Sequence, residues 1–187
     1  MNSSLAVVDT AFPDVKLIPL QRFPDDRGYF MESFQQRRYA GLPGLKNGFV
    51  QDNVSCSRRD VLRGLHFQRE HAQGKLLRVV QGVIYDVTVD VRRNSPTFGQ
   101  WQGITLAHEQ FQQLWIPPGY AHGFMVLSEQ AVVNYKCTEY YHPEDEVCLR
   151  WNDGDVGVQW PAGDPIVSAR DRAGLGLAAI LEQGLCL

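Results

Sequence analysis

The segment Val61–Gln68, with the sequence VLRGLHFQ, places an arginine and a histidine in a short stretch that otherwise looks buried. Side chains three residues apart in a β-strand point to opposite faces, so Arg63 and His66 can share a cavity only if the strand bends near Gly64. Histidine is the side chain best suited to proton transfer near neutral pH, which makes His66 a candidate general base. The alternative is a core histidine beside an exposed arginine, and this segment alone does not decide between them.

A second histidine follows in residues 113–124, QLWIPPGYAHGF. The Pro-x-Gly-x-x-His spacing that ends at His122 resembles the second motif of the cupin superfamily, in which a turn presents a histidine to the barrel interior. Metal-binding cupins also carry a His-x-His pair and a glutamate in their first motif, whereas here His66 is followed by Phe-Gln. A catalytic metal normally has three protein ligands, so we predict no metal site.

A third cluster is NYKCTEYY at residues 134–141. The simplest interpretation is a strand whose tyrosines pack in the sheet with their hydroxyls outward. A tyrosine that instead points inward, opposite a histidine, would place a proton donor across from a proton acceptor. That pair is what the inversion of a carbon centre requires.

Short strands separated by Gly/Pro turns must position these side chains. Residues 79–91, VVQGVIYDVTVDV, predict a strand, a turn at Gly82 and a second strand. Helical periodicity is limited to residues 33–40 and 173–181. This pattern favours a β-sandwich or barrel whose inward side chains line a cavity. Further strands are predicted at 100–106, 113–116, 123–127 and 131–138.

The bulk composition excludes several classes of partner. A chain of 187 residues can bury one hydrophobic core without disulfide bonds or a structural metal. Its net charge of -3, with no run of basic residues, disfavours binding to nucleic acid or membrane surfaces. The four cysteines include no Cys-x-x-Cys pair, and the first residues lack the pattern of a secretion signal. We therefore expect a soluble, cytoplasmic protein without nucleic-acid or membrane partners.

Together these segments resemble the dTDP-4-dehydrorhamnose 3,5-epimerase family, from about Asp26 to Asp171. Many matches in one order make the likeness specific, although no single motif would. The matching segments are residues 27–32, 50–53, 61–68, 74–76, 95–99, 114–124, 135–138 and 151–153.

The resemblance implies an all-β fold, a cupin-type jelly-roll β-barrel with short peripheral helices. It implies a single domain over residues 1–187 with a short helical C-terminal tail, and a homodimer that exchanges N-terminal strands. It also implies a substrate, dTDP-4-dehydro-6-deoxy-D-glucose, converted to dTDP-4-dehydro-L-rhamnose without a cofactor.

The resemblance assigns residue roles as well. His66 matches the general base, Asp171 its dyad partner, Tyr135 the general acid on the opposite face of the sugar, and Lys75 the lysine near the enolate oxygen. Tyr141 is a candidate to stack on thymine, with Tyr29 as an alternative. Arg63 matches a nucleotide or diphosphate contact. The remaining substrate-binding positions are Arg27, Glu32, Gln51, Asn53, His122, Glu146 and Arg170, the last replacing a lysine of relatives.

Three alternatives stay open on the sequence alone. The nearest is an epimerase of the same fold that inverts only C3 or only C5 in another deoxysugar pathway. A second is a metal-dependent cupin oxygenase or isomerase in which His66 and His122 hold iron or zinc. A third is a sugar-binding module without catalysis, which would leave a base and an acid at matching positions unexplained.

Overall fold

The computed structural model describes residues 5–161 and 164–187 as two facing β-sheets, antiparallel except for one short pair. The first sheet has the order β1 (Val8–Asp9), β2 (Lys16–Pro19), β10 (Gln112–Ile116), β7 (Lys75–Gln81), β12 (Gln130–Cys137) and β5 (Gln51–Arg58). The second has the order β13 (Glu146–Cys148), β6 (Val61–Gln68), β11 (Tyr120–Val126), β8 (Val83–Asp90) and β9 (Trp101–Ala107), with β14 (Ile166–Val167) parallel to β6.

Small elements complete the molecule. A separate hairpin consists of β3 (Arg22–Asp25) and β4 (Gly28–Met31), and a 3-10 turn covers His108–Gln110. The helices are α1 (Gln36–Tyr39), α2 (Ala169–Arg172) and α3 (Leu177–Glu182), each shorter than two turns. The prediction of an all-β jelly roll with short peripheral helices is confirmed. None of the helices in the described ranges is both long and apolar enough to cross a membrane.

The predicted strands are present, with differences at their ends. β11 begins at Tyr120, three residues before the predicted start, because Tyr120 already pairs with Asp90 of β8. The helical prediction at residues 33–40 yields only one turn, α1. The prediction at 173–181 yields α3 from Leu177 onward, because glycines at 174 and 176 delay its start.

Strand alternation gives each sheet two different faces. Leu77 packs in the core between the sheets, whereas its neighbour Leu76 packs on the outer face with Trp115. In the second sheet, Leu65 packs on the outer face with Ile180 of α3. The inner face of β6 is therefore free to present polar side chains between the sheets.

A β-bulge in β6 supplies the bend predicted at Gly64. His122 pairs with His66, but Phe124 pairs with Arg63, so three steps on β6 match two steps on β11. Gly64 has φ +109°, and a Cβ there would lie 2.6 Å from the carbonyl oxygen of His122. Only glycine fits this close approach, and the extra residue turns Arg63 toward the same side as His66.

An ion pair with a buried carboxylate ties the loop after β8 to the rest of the barrel. The carboxylate of Asp90 is buried and accepts hydrogen bonds from Arg92, Ser95 and Thr97 at 2.6–2.9 Å. Arg92 also donates to the hydroxyl of Tyr120 at 2.7 Å. Burial raises the pKa of Asp90, but the hydrogen bonds from Arg92, Ser95 and Thr97 outweigh it and hold that pKa below its usual value.

We predict that Asp90→Asn lowers the free energy of unfolding by about 2 kcal/mol, because it removes the buried charge that accepts hydrogen bonds from Arg92, Ser95 and Thr97. Since the folded-state pKa of Asp90 is depressed, this stabilisation is complete above its unfolded pKa of about 3.9 and is lost as the pH falls through the folded value. Denaturant melts from neutral to acidic pH, with Glu129→Gln at an exposed position as control, measure the difference. Equal stability of Asp90→Asn and wild type at neutral pH would contradict the prediction.

Candidate active site

A cavity of about 520 Å³ lies between the two sheets. Tyr135 of β12 and Lys75 of β7 line it from the first sheet. His66 of β6 and His122 of β11 line it from the second sheet. The imidazole of His66 and the phenol of Tyr135 therefore face one space from opposite walls, which is the arrangement that the sequence predicted.

His66 is held by a buried carboxylate. Its Nε2 lies 2.6 Å from Oδ1 of Asp171, which belongs to α2. The backbone N–H of Asp171 donates to the hydroxyl of Ser168, the N-cap of α2, so the helix start fixes the carboxylate. Burial raises the pKa of Asp171, but the hydrogen bond and charge of His66 outweigh it and keep that pKa below its usual value. The other ring nitrogen, Nδ1, has no hydrogen-bond partner in the described part of the chain.

The wall opposite His66 carries a neutral acid and an amine. Burial is the main cause that raises the pKa of Tyr135, so the phenol keeps its proton at neutral pH. Burial lowers the pKa of Lys75, although the charges of Glu146 and Asp86 favour its protonated form. The Lys75 Nζ donates to the backbone carbonyl of His66 at 3.3 Å, which ties the two walls together.

His122 also has a carboxylate partner. Its Nε2 lies 2.8 Å from Oδ2 of Asp86 on the neighbouring strand β8, and Asp86 is 1% exposed. Asp86 Oδ1 is buried and has no hydrogen-bond partner among the described residues. The sequence analysis missed Asp86. Its signal was a lone carboxylate in the apolar run VIYDVTV, where burial requires a partner.

Charged side chains bridge the rim of the cavity beside α2. The Arg170 guanidinium donates to the Tyr141 hydroxyl at 2.9 Å and forms an ion pair with Glu146 at 2.5 Å. Glu146 Oε1 in turn lies 4.0 Å from Nε2 of His66. The structure therefore brings these three predicted residues together next to the histidine, with Arg170 lining the cavity itself.

The other predicted residues of the first sheet and of β6 lie nearby. Arg63 lines the cavity and its Nε donates to the Ser57 hydroxyl at 3.0 Å. Gln51 accepts a hydrogen bond from the backbone N–H of Tyr141 and donates to Asn53 at 3.1 Å. Gln51 and Asn53 stand on β5 next to the end of β12, at the edge of the site and not in its lining.

Arg27 and Glu32 lie outside the cavity of this chain. Arg27 is on the exposed β3–β4 hairpin, where it forms an ion pair with Asp25 at 2.5 Å. Glu32, just after that hairpin, pairs with Arg38 at 2.6 Å. Within one chain these two side chains therefore contribute nothing to the lining.

Two loops lead to the wall that carries Lys75 and Tyr135, and they are joined to each other. Loop 69–74 precedes β7, and loop 138–145 follows β12. The rings of His71 and His142 stack with centroids 3.9 Å apart. The Asp145 carboxylate accepts the backbone N–H groups of Glu70 and His71 at 2.9 and 2.8 Å. These contacts join the two loops, while strand pairing between β7 and β12 holds the wall itself.

One group of three potential metal ligands is present in the described ranges, namely His66, Cys148 and Asp171. It differs from the alternative weighed on the sequence, because His122 is not part of it. His122 is bonded to Asp86 instead.

Known proteins match this chain over nearly its whole length. The family model described as dTDP-4-dehydrorhamnose 3,5-epimerase matches residues 9–179. A dTDP-4-dehydrorhamnose 3,5-epimerase from Salmonella typhimurium is 50% identical over 183 residues, covering 97% of this chain and 98% of the relative. One from Pseudomonas aeruginosa is 52% identical over 169 residues, covering 90% of this chain and 93% of the relative.

A solved structure adds a bound sugar nucleotide. It is the dTDP-6-deoxy-D-glucose-3,5-epimerase of Legionella pneumophila in complex with dTDP-4-keto-L-rhamnose. It superposes with a TM-score of 0.92 at 45% identity and covers 97% of both chains. The predicted isomerase class and epimerase function are confirmed, and the chain belongs to the dTDP-4-dehydrorhamnose 3,5-epimerase family.

Proposed function

We propose that this chain inverts C3 and C5 of dTDP-4-dehydro-6-deoxy-D-glucose and releases dTDP-4-dehydro-L-rhamnose. The observation that carries the proposal is the placement of His66 and Tyr135 on opposite sheets that face one cavity. A single base cannot easily remove a proton from one face of a sugar ring and replace it on the other, whereas two groups that flank the ring can. The names of the relatives and the sugar nucleotide bound to the Legionella protein support the same reaction.

The chemistry begins with an acidic hydrogen next to a ketone. Removing the proton from C3 or C5 leaves an enolate whose charge rests on the C4 oxygen. A preorganised cation or hydrogen-bond donor at that oxygen lowers the barrier by several kcal/mol. We assign this role to Lys75, whose amine is buried away from solvent, which lowers its pKa. On the facing sheet, His122 is assigned as a second donor through Nδ1–H of its imidazolium form, because Asp86 accepts from its Nε2.

His66 takes the proton, and Tyr135 returns one. Since Nε2 of His66 faces Asp171, the lone pair that accepts the substrate proton belongs to Nδ1. Asp171 fixes this tautomer and stabilises the imidazolium that forms. Tyr135 donates to the enolate carbon from the other wall, and its raised pKa keeps the phenol protonated until then. These steps use side chains of the protein alone, so we propose a reaction without metal or nicotinamide.

The nucleotide part of the substrate would bind around the rim. Arg63 and Arg170 line the cavity, and a guanidinium binds phosphate oxygens with a planar fork of donors. We assign Tyr141 to stacking on thymine, because its ring is 41% exposed beside Arg170, which donates to its hydroxyl. Gln51, Asn53 and Glu146 are assigned to the remaining polar contacts at this edge.

We further propose that the chain is a single domain that works as a homodimer in the cytoplasm. The β3–β4 hairpin exposes Phe23, Tyr29 and Phe30, the last 71% exposed, and such an aromatic patch is typical of an interface. If the hairpin packs on a second subunit, Arg27 and Glu32 can reach the partner's cavity. The four free cysteines fit a reducing compartment.

Incubation with dTDP-4-dehydro-6-deoxy-D-glucose in deuterated water, followed by NMR, tests the reaction. We expect deuterium at both C3 and C5, and we expect His66→Ala to reduce its uptake at both by at least about 10²-fold, since the same base serves both carbons. His108→Ala, a change on the 3-10 turn, should keep the wild-type rate. Deuterium at a single carbon would favour the epimerases that invert one centre, and substantial uptake by His66→Ala would remove His66 from the mechanism.

The acid role of Tyr135 is tested by separating exchange from inversion. Tyr135→Phe should slow the formation of inverted product by about 10²-fold or more, while hydrogen exchange persists through the histidine face. Tyr140→Phe, at an exposed position, is the matched control. Product and exchange rates are measured in the same NMR samples. If Tyr135→Phe and wild type gave equal rates in both assays, the acid role would be refuted.

Mixing two inactive variants tests the shared site. Arg27→Ala and His66→Ala dimers, unfolded and refolded together, should regain about a quarter of the wild-type rate, because half of the dimers are mixed and each contains one intact site. A mixture of His66→Ala with Asp171→Asn should stay inactive, since both residues belong to one dyad within one chain. If the mixture of Arg27→Ala with His66→Ala stays inactive, or if light scattering shows a monomer, the proposed sharing of the site between subunits is contradicted.

A further inference from the structure

Cys148 lies directly behind the His66–Asp171 pair, and the proposed epimerisation does not use it. Its Sγ is 3.9 Å from Oδ1 of Asp171. One donor atom each from His66, Cys148 and Asp171 lies within 4.8 Å of the others. Imidazole, thiolate and carboxylate are the three side-chain ligands that zinc prefers.

The spacing of these atoms is close to that of a tetrahedral site. With zinc bonds of about 2.3 Å to sulfur and about 2.0 Å to oxygen, tetrahedral angles place sulfur and oxygen about 3.5 Å apart. The observed 3.9 Å between Cys148 Sγ and Asp171 Oδ1 needs only a small contraction. The 2.6 Å between His66 Nε2 and Asp171 Oδ1 must widen to about 3.3 Å, which a carboxylate rotation can supply. His66 and Asp171 both line the cavity, whereas Cys148 is not among its lining residues.

We propose that His66, Cys148 and Asp171 bind a thiophilic divalent cation such as Zn²⁺, and that this cation inhibits the enzyme. Binding forms metal bonds to Nε2, Sγ and a carboxylate oxygen, and it releases the thiol proton to solvent. A neutral imidazole that ligates through Nε2 carries its proton on Nδ1, so the lone pair that accepts the substrate proton is lost. The inhibitory half of this proposal rests on the proposed function, whereas the binding half does not.

The groups around the three ligands determine which cations can bind there. Glu146, 4.0 Å from Nε2, adds negative charge, but its ion pair with Arg170 offsets much of it. Burial raises the pKa of the Cys148 thiol to about 12, so the cation must displace a tightly held proton. Hard cations such as Mg²⁺ and Ca²⁺ bind thiolate poorly. We therefore expect zinc, cobalt and cadmium to be the cations that bind this site.

Cobalt absorption tests the binding without substrate. Co²⁺ added to the purified, metal-stripped protein should give a thiolate-to-cobalt charge-transfer band that saturates at one equivalent and disappears when Zn²⁺ is added. Cys148→Ser should lose the band, and Cys186→Ser, a change at another half-buried cysteine, should keep it. His66→Asn should weaken cobalt binding at least tenfold. A band that survives in Cys148→Ser would overturn the proposed site, and circular dichroism melts verify that each variant is folded.

Inhibition is measured separately by product formation. Zn²⁺ should inhibit the wild type reversibly, with recovery on adding a chelator, and its inhibition constant should rise tenfold or more in Cys148→Ser relative to that variant's own metal-free rate. Equal inhibition of wild type and Cys148→Ser would place the inhibitory metal elsewhere and overturn the inhibitory half of the proposal. A cobalt band in a protein that shows no epimerase activity would refute the proposed function and leave the metal site standing, whereas full activity with no band would do the reverse.

Discussion

The close approach of Gly64 to β11 is the constraint on which the site depends. A strand normally sends Arg63 and His66 to opposite faces, and the bulge at Gly64 brings both into one cavity. The same peptide segment approaches the dyad, since the N–H of Gly64 lies 3.4 Å from the Asp171 carboxylate. A side chain at this position would collide with the backbone of His122, so catalytic geometry and sheet packing are specified by one residue.

Paired imidazoles and carboxylates are the recurring electrostatic theme of the cavity. His66 pairs with Asp171, which arrives from a helix 105 residues later, and His122 pairs with Asp86 on the adjacent strand. Each carboxylate is almost fully buried, so it would be costly without its histidine. The facing wall contributes Tyr135 instead, a group that burial keeps neutral. The two walls thus differ in the protonation state they favour, as a reaction with one base and one acid requires.

The sequence predicted much of this arrangement because the strand signals are local. The break at Gly82, the strands on each side of it and the bend at Gly64 follow from residue types within a few positions. The role of Asp86 could not be predicted, because its partner His122 is chosen by strand register, which depends on contacts between distant segments. The place of Arg27 was also beyond the sequence, since Arg27 lies on an exposed hairpin and is not in the lining of its own chain's cavity.

The stacked rings of His71 and His142 have a consequence for ligand design. They join the two loops that adjoin the wall bearing Lys75 and Tyr135, and strand pairing holds that wall itself, so both are restrained. Little conformational entropy is then lost on binding a rigid, flat molecule. A planar ring with a negatively charged oxygen at the place of the ketone would imitate the short-lived intermediate more closely than it imitates either sugar. Such a mimic gains its affinity from complementarity to the transition state.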